Sequence, residues 1–420
     1  MGGAIGRAMG GAMAGATGGE NGTMARSDVR SPDELAALDS LLTDDERDTA
    51  ATVRTMLDEH VRPHVAQWYL DGRLPARDLA KLFGDLGLLG MHLQGYGCAG
   101  TTATMYGVAC RELEAADGGI RSLVSVQGSL AMYAIHRFGS QEQKLEWLPR
   151  MASGEAVGCF GLTEPDAGSD PSSLRTRARR DGDDWVLDGT KMWITNGPVA
   201  DVAVVWARTD EGVAGFVVPT STPGFSAPEI VGKLSLRASV SGQIVLDGVR
   251  LPADAVLPEV IGLRGPLACL TEARFGIVWG ATGAIRDCLT TALEYAATRV
   301  QFGRPIAGFQ LTQAKFADAA AAYAKAVLLA VHLGRVKDAA VRDAQITPEL
   351  VSLGKLDNVR AALQVARSMR TVLGGSGITA DYSPLRHAAN LETVLTYEGT
   401  QEVHQLIVGK ALTGLDAFGS

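Results

Sequence analysis

Apolar residues recur in two rhythms along this chain, and the change of rhythm divides it into three parts. From Ser31 to about residue 157 they fall three and four apart, the spacing of one helical face. Thr43-Asp-Asp-Glu46 reads as a capping box ahead of RDTAATVRTMLDEHV, with Pro63 near the end of that helix. LAKLFGDLGLL, YGVACRELEAAD and SLVSVQGSLAMYAIHRF continue the helical rhythm. Between about 158 and 258 the runs shorten. WVLDGTKMWIT, VADVAVVWAR, GVAGFVVP and GQIVLDGVRLP are β-branched or aromatic and separated by DG, GP and PG turns, which predicts an antiparallel sheet. Long helical periods return from 259 to 420, in LACLTEARFGIVWGATGAIRDCLTTALEYAATRV, QLTQAKFADAAAAYAKAVLLAVHLGRVKDAA, PELVSLGKLDNVRAALQVARSMRTVLGG and TQEVHQLIVGKAL. Four antiparallel helices of that length predict a bundle. The expected class is α+β: an all-α domain over 31–157, a β domain over 158–258 and a four-helix bundle domain over 259–420.

Residues 1–30 are dominated by Gly, Ala and Met without periodicity, and read as a disordered leader or as sequence upstream of a natural start at Met24. They lack the Arg and Ser of a transit peptide and the apolar core of a secretory signal. The Ala-rich composition points to a GC-rich bacterial source, and a cytoplasmic location is expected. The longest apolar run, FADAAAAYAKAVLLAVHLG, is broken by Asp318 and Lys325, so it reads as a buried helix and no integral membrane segment is expected. With 420 residues there is room for two or three domains, because packing units rarely exceed about 250–300 residues. A formal charge of −8 argues against nucleic acid as a partner. Five scattered cysteines without a CxxC pair fit a reducing compartment. Seven histidines show no ligand spacing, so no metal is implied and each reads as a satisfied structural residue.

A sheet set between two helical domains leaves crevices at its borders, and flat ligands settle at such junctions. CFGLTEPDAGSDPSS (159–173) is a turn-rich loop offering Thr163, Ser169 and backbone amides as donors. MWITN (192–196) places Trp193 and Thr195 on a strand, ring and hydroxyl together. LGGSGIT (373–379) follows a helix rather than a strand, so it is no dinucleotide fingerprint. TYEGTQEVH (396–404) sets Glu398 between an aromatic ring and a glycine. Singly, each also fits an ordinary turn, core ring or helix start.

Together, CFGLTEPDAGSD, WIT, RVQFGRPIAGFQ, LGG and TYEGTQEVHQLIVGKALTG, in this order, resemble the acyl-CoA dehydrogenases from Ser31 to the end. GYGCAG (95–100), RELEAADGGIRSLVSVQ (111–127) and HAANLETVLTYEGT (387–400) resemble the glutaryl-CoA dehydrogenase branch of that family. The resemblance implies an FAD enzyme that oxidises a thioester between Cα and Cβ, an electron-transfer flavoprotein as acceptor, and a homotetramer with FAD at subunit interfaces. Glu398 matches the base that removes the α-proton, and Gly399 the residue that leaves room for the thioester. Phe160, Leu162, Thr163, Gly168, Ser169, Trp193, Ile194 and Thr195 match the isoalloxazine side of the flavin site. Arg299, Phe302, Gln310, Thr371, Gly374 and Gly375 match groups that hold the other half of FAD from a neighbouring subunit, and Thr400 returns to the first subunit's FAD. On the CoA side Ser169 and Arg274 match substrate-contacting positions, with Arg274 a partner for CoA polar groups.

Arg121 matches the position that binds a distal carboxylate in the glutaryl branch, a task its planar fork suits. Ser122 and Ser125 match added hydroxyl donors, Glu114 an acid near the same pocket, and Tyr397 the ring beside the base. The resemblance therefore implies glutaryl-CoA as substrate, with loss of CO2 giving crotonyl-CoA. Two alternatives stay open. Arg121 could be structural in a dehydrogenase of another short-chain or branched acyl-CoA, or the chain could be a non-catalytic CoA- or flavoprotein-binding scaffold. Glu402 and Glu392 read as solvated and structural acids.

Overall fold

The computed structural model describes residues 29–339 and 347–417, so all but the last two residues of the expected leader lie outside it. The first domain is helical: α1 (Pro32–Leu35), α2 (Asp44–His60), α3 (Arg62–Asp71), α4 (Ala76–Asp85), α5 (Ala103–Ala116), α6 (Gly118–Ser125), α7 (Tyr133–Phe138) and α8 (Gln141–Ala152). The capping box forms at α2, where Thr43 N–H donates to Glu46 Oε2 at 2.9 Å and Glu46 N–H to Thr43 Oγ1 at 3.3 Å. Pro63 lies in the first turn of α3 rather than at the end of α2, because a proline there forfeits an N–H that has no helical partner anyway. Between α6 and α7, Val126–Met132 is wound as a π-helix, a local insertion common at functional sites. Within it Gln127 donates to the Met151 and Ala156 carbonyls and accepts from Gly158 N–H at 2.6 Å, fastening this turn to the first strand.

The middle domain is a seven-stranded sheet of β1 (Gly158–Gly161), β2 (Arg177–Asp181), β3 (Asp184–Thr195), β4 (Val202–Thr209), β5 (Gly212–Pro219), β6 (Phe225–Ser226) and β7 (Ser241–Leu251). It is mixed rather than purely antiparallel: β4 pairs antiparallel with β5 but parallel with β1 and, at one position, with β2. Residues 159–161, expected as the start of a turn-rich loop, form buried strand β1 instead, because the long connection that brings β4 beside it in parallel is not encoded in local pattern. β3 pairs with β7, and its register slips between Lys191 and Ile194. In that bulge Trp193 has φ +63° and turns its ring outward, leaving it 60% exposed.

The last domain contains α9 (Arg264–Thr298), a hairpin of β8 (Val300–Gln301) and β9 (Arg304–Pro305), α10 (Gln310–Ala339), α11 (Pro348–Val372), α12 (Ser383–Thr396) and α13 (Gln401–Thr413). Beyond the four expected helices it thus holds α12, which ends where Glu398 begins its turn. α9 is the central element, packed on α5, α10 and α11. The α5–α9 crossing is close because α9 carries glycine at it: a Cβ on Gly283 would lie 1.9 Å from the Arg111 carbonyl oxygen, and one on Gly280 2.5 Å from Glu114 Oε2. α10 is long and apolar enough to cross a membrane by composition, but here it lines the bundle with Tyr323, Ala326, Val327 and Leu333 buried.

Candidate active site

Four residues, Tyr397 to Thr400, join α12 to α13, and their backbone is unusual. Glu398 has φ +53° and Gly399 φ +93°, so the turn is left-handed at two successive positions. For a non-glycine residue that conformation costs roughly 1–2 kcal/mol. Buried cations hold it. Lys355 on α11 donates from Nζ to the carbonyls of Tyr397 and Gly399, the latter at 2.7 Å. Arg274 on α9 donates from Nε to the carbonyl of Glu398 at 2.7 Å. A Cβ at 399 would meet His404 Nε2 at 3.0 Å and Arg274 Nη2 at 3.2 Å, so only glycine fits. Thr400 closes the turn as the N-cap of α13, its Oγ1 accepting from Val403 N–H at 3.3 Å.

The Glu398 side chain enters the protein. Its Oε2 is shut off from solvent and has no hydrogen-bond partner among the described residues. Burial raises its pKa above the ordinary carboxylate value, against the opposing pull of Arg121, Lys355 and Arg274. Burial likewise lowers the Lys355 ammonium to about 7 and the Arg274 guanidinium below its usual range. His404 is buried beside the turn with neither ring nitrogen paired among the described residues, and burial pushes it down to about 3, so it is neutral. The expectation that every histidine is hydrogen-bonded therefore fails at His404 and also at His92.

Arg121 stands at the other side of the same cluster, buried on α6. It donates from Nε to Glu114 Oε2 at 2.5 Å and from Nη2 to the Tyr397 hydroxyl. Burial opposes its charge, but Glu114, Tyr397 and Glu398 together outweigh that and hold the guanidinium well above its ordinary value. Tyr397 is pushed up to about 12 by burial. Ser122 and Ser125, on the same helix, have buried hydroxyl oxygens without a hydrogen-bond partner among the described residues. Five of the expected residues, Glu114, Arg121, Arg274, Tyr397 and Glu398, thus meet through direct contacts or shared charge. Arg274, expected as a partner for CoA polar groups, is buried, with its Nε spent on the Glu398 carbonyl. Lys355 was missed. It lies on the stripe Val351, Ser352, Lys355, Asn358, Val359, Ala362 that α11 buries, and a lysine in such a stripe is the signal that could have found it.

The residues matched to the isoalloxazine side form a second group. Phe160, Leu162 and Ile194 are buried, Thr163 and Thr195 half-buried, and Gly168, Ser169 and Trp193 exposed. Loop and strand are tied together: Met192 N–H donates to the Thr163 carbonyl at 2.9 Å, and buried Lys191 donates to Glu164 Oε1 at 2.8 Å and the Leu162 carbonyl at 3.1 Å. A third group is exposed at one end of the bundle, with Arg299 at the end of α9, Phe302 in the hairpin, Gln310 opening α10, and Thr371, Gly374 and Gly375 at the end of α11. Lys315 Nζ to Thr371 Oγ1, at 2.9 Å, joins two of those helix ends.

Family models for the acyl-CoA dehydrogenase N-terminal, middle and C-terminal domains match residues 43–155, 159–249 and 262–413. The chain belongs to the acyl-CoA dehydrogenase family. It is 35% identical to the mitochondrial short-chain specific acyl-CoA dehydrogenase of Bos taurus over 364 residues, 85% of this chain and 87% of that protein. A glutaryl-CoA dehydrogenase structure from Mycobacterium smegmatis superposes with a TM-score of 0.91 at 65% identity, over 93% of this chain and all of that one. A second structure of a glutaryl-CoA dehydrogenase from that organism, in complex with FADH2, matches at 62% identity and a TM-score of 0.91, over 93% of this chain and 100% of that one. As an acyl-CoA dehydrogenase the protein is an FAD-dependent oxidoreductase of acyl-CoA thioesters. The outward indole of Trp193 and the open space around Gly168, Gly374 and Gly375 fit a large planar cofactor with an extended tail.

Proposed function

We propose that the protein dehydrogenates glutaryl-CoA at Cα–Cβ and releases CO2 to give crotonyl-CoA, with Glu398 as the base. The observation that carries this reading is the buried, unpartnered Oε2 of Glu398, in one cluster with a guanidinium. A carboxylate whose pKa is raised by burial is matched to removing a weakly acidic α-proton, a contribution of about 10²–10⁴-fold in general-base catalysis. The thioester carbonyl would take the Glu398 backbone N–H as one donor, where developing negative charge gains most from a fixed dipole. FAD, when bound, supplies the acceptor for the β-hydrogen. Phe160 to Ser169, Trp193, Ile194 and Thr195 would hold its ring, while Arg299, Phe302, Gln310, Thr371, Gly374 and Gly375 would serve a neighbouring subunit's FAD in a homotetramer. Their exposure, 95% at Phe302, supports a role across an interface.

Arg121 would orient the distal carboxylate through N–H groups not given to Glu114 and Tyr397, with Ser122 and Ser125 adding donors. In the second stage the Cγ–carboxylate bond breaks, its electron pair is delocalised toward the thioester, and the proton held by Glu398 is available to the resulting carbanion. Electrons would leave to an electron-transfer flavoprotein. A second reading, another short acyl-CoA as substrate, draws support from the Glu114 carboxylate, which already satisfies much of the Arg121 charge. Supplying glutaryl-CoA and butyryl-CoA with an artificial acceptor separates the two. CO2 and crotonyl-CoA in equal amounts support the first reading; butyryl-CoA turnover with glutaryl-CoA inert overturns it.

A further inference from the structure

We propose that Lys355 is a positioning residue of this reaction, fixing the left-handed turn that carries Glu398 and polarising the peptide whose N–H belongs to Glu398. The inference rests on the reading of Glu398 as the base. Lys355 lies on the buried stripe of α11, 2% exposed, where an ammonium without acceptors would be strongly unfavourable. Its acceptors are the carbonyls of Tyr397 and Gly399, on either side of the base and more than forty positions away in sequence. A peptide group is one planar unit, so the Tyr397 carbonyl and the Glu398 N–H share electron density. While Lys355 is protonated, below about pH 7, this cationic donor on the oxygen draws density from the nitrogen and makes its N–H a stronger donor, as in chains of mutually polarising hydrogen bonds. That N–H is the one a developing enolate oxygen would use. Arg274 acts in the same way on the next peptide, through the Glu398 carbonyl.

The charge also reaches the carboxyl. Glu398, Arg274 and Arg121 are the charged groups that act on Lys355, from the turn, α9 and α6 respectively. Of these only Glu398 is anionic, so the ammonium favours the ionised base. A purely mechanical pin would need a side chain of the right length and a donor. A positioning role by charge needs the cation and leaves a kinetic signature.

The test uses FAD-loaded enzyme and compares Lys355→Met, Lys355→Gln and Lys355→Arg, with flavin content and Tm checked first. With saturating acyl-CoA under anaerobic conditions, Lys355→Met is expected to reduce its flavin at least about tenfold more slowly, a fraction of the loss seen on deleting an oxyanion donor. KM should stay within about threefold, as expected for an interaction made mainly in the transition state. The acid limb of the kcat profile should move to higher pH, and Lys355→Arg should move both readouts back toward wild type. Should Lys355→Met fail to load FAD, Lys355→Gln decides, since it keeps a neutral donor: a slowed rate with a shifted limb supports the proposal. A wild-type rate and an unmoved limb in either neutral variant overturn it. Glu398→Gln run alongside separates the two ideas. If it retains flavin reduction, the reading of Glu398 falls; if it is dead while Lys355→Met is normal, only the role of Lys355 falls.

Discussion

Arg121 Nε donates to Glu114 Oε2 at 2.5 Å, and both side chains are buried. The guanidinium is therefore neutralised before any substrate arrives, and selectivity for a dicarboxylyl chain must come from its remaining N–H groups. Hydrogen bonds to charged groups are worth about 1.5–3 kcal/mol, or roughly 10- to 100-fold. Arg121→Met should lower kcat/KM for glutaryl-CoA by that factor while changing butyryl-CoA turnover far less. Parallel kinetics with the two thioesters measure the ratio; equal losses would assign Arg121 a structural task.

Glu398→Gln is isosteric and keeps the backbone turn, but cannot accept a proton. Flavin content should be unchanged and Tm should differ only at pH values where Glu398 would titrate, while the rate of flavin bleaching by acyl-CoA falls by about two to four orders of magnitude. Anaerobic stopped-flow absorbance reads this directly.

The pH dependence follows from the direction of the Glu398 shift. Its folded pKa lies above 4.5, so the carboxylate forms only as pH rises through that raised value, and activity should climb there rather than near 4.5. For stability the sign is reversed. Ionisation is disfavoured in the folded state, so Glu398 withdraws stability as pH rises from its unfolded value through its folded one. In Glu398→Gln this loss should vanish, which a comparison of Tm against pH for the two proteins would reveal.

Gly399 sits at φ +93° with His404 and Arg274 within 3.2 Å of where a Cβ would be. Gly399→Ala should cost about 1–3 kcal/mol in backbone strain, besides displacing the base. A lowered Tm together with a lowered kcat is expected.

Far from the turn, Glu112 accepts from three guanidinium groups: Arg286 at 2.6 Å through both terminal nitrogens, Arg111 at 2.8 Å and Arg54 at 3.1 Å. Burial opposes its charge, yet Arg286 and Arg111 hold its pKa well below the carboxylate range. Its contribution is present above the unfolded pKa and lost as pH falls through the folded one. Glu112→Gln should destabilise the fold by about 3–5 kcal/mol, since it strips a buried charge network of its anion. Denaturant unfolding at neutral pH checks the size.

Local pattern made much of this legible. The box at Thr43 and Glu46, the β-branched runs of β3, β4, β5 and β7, and the long apolar periods of α9 to α11 each declare their element through short-range chemistry. So did the chemical motif around Glu398, because an acid before a glycine in that frame matches a family base. What stayed hidden depends on which distant residues meet. Lys355 looks like any helical lysine until α11 is laid against the Tyr397–Gly399 turn. Arg274 looks like a ligand contact until its Nε is seen on a carbonyl 124 positions away. The parallel pairing of β1 with β4 depends on how the chain returns, and α12 lay inside a stretch read for its motif alone.

The wide turn at Val126–Met132 follows directly on the helix that carries Arg121, Ser122 and Ser125, and its Gln127 is fastened to β1 at Gly158. An ordinary α-helix advances about 100° per residue. The wider pitch takes up about one extra residue per turn, so deleting one would let the segment rewind to α and withdraw the bulge that carries Gln127, breaking its tie to β1 with every motif in the chain intact. Insertions and deletions here should therefore be far less tolerated than substitutions, so the spacing between Arg121 and the 159–173 segment is itself a fixed dimension of the protein.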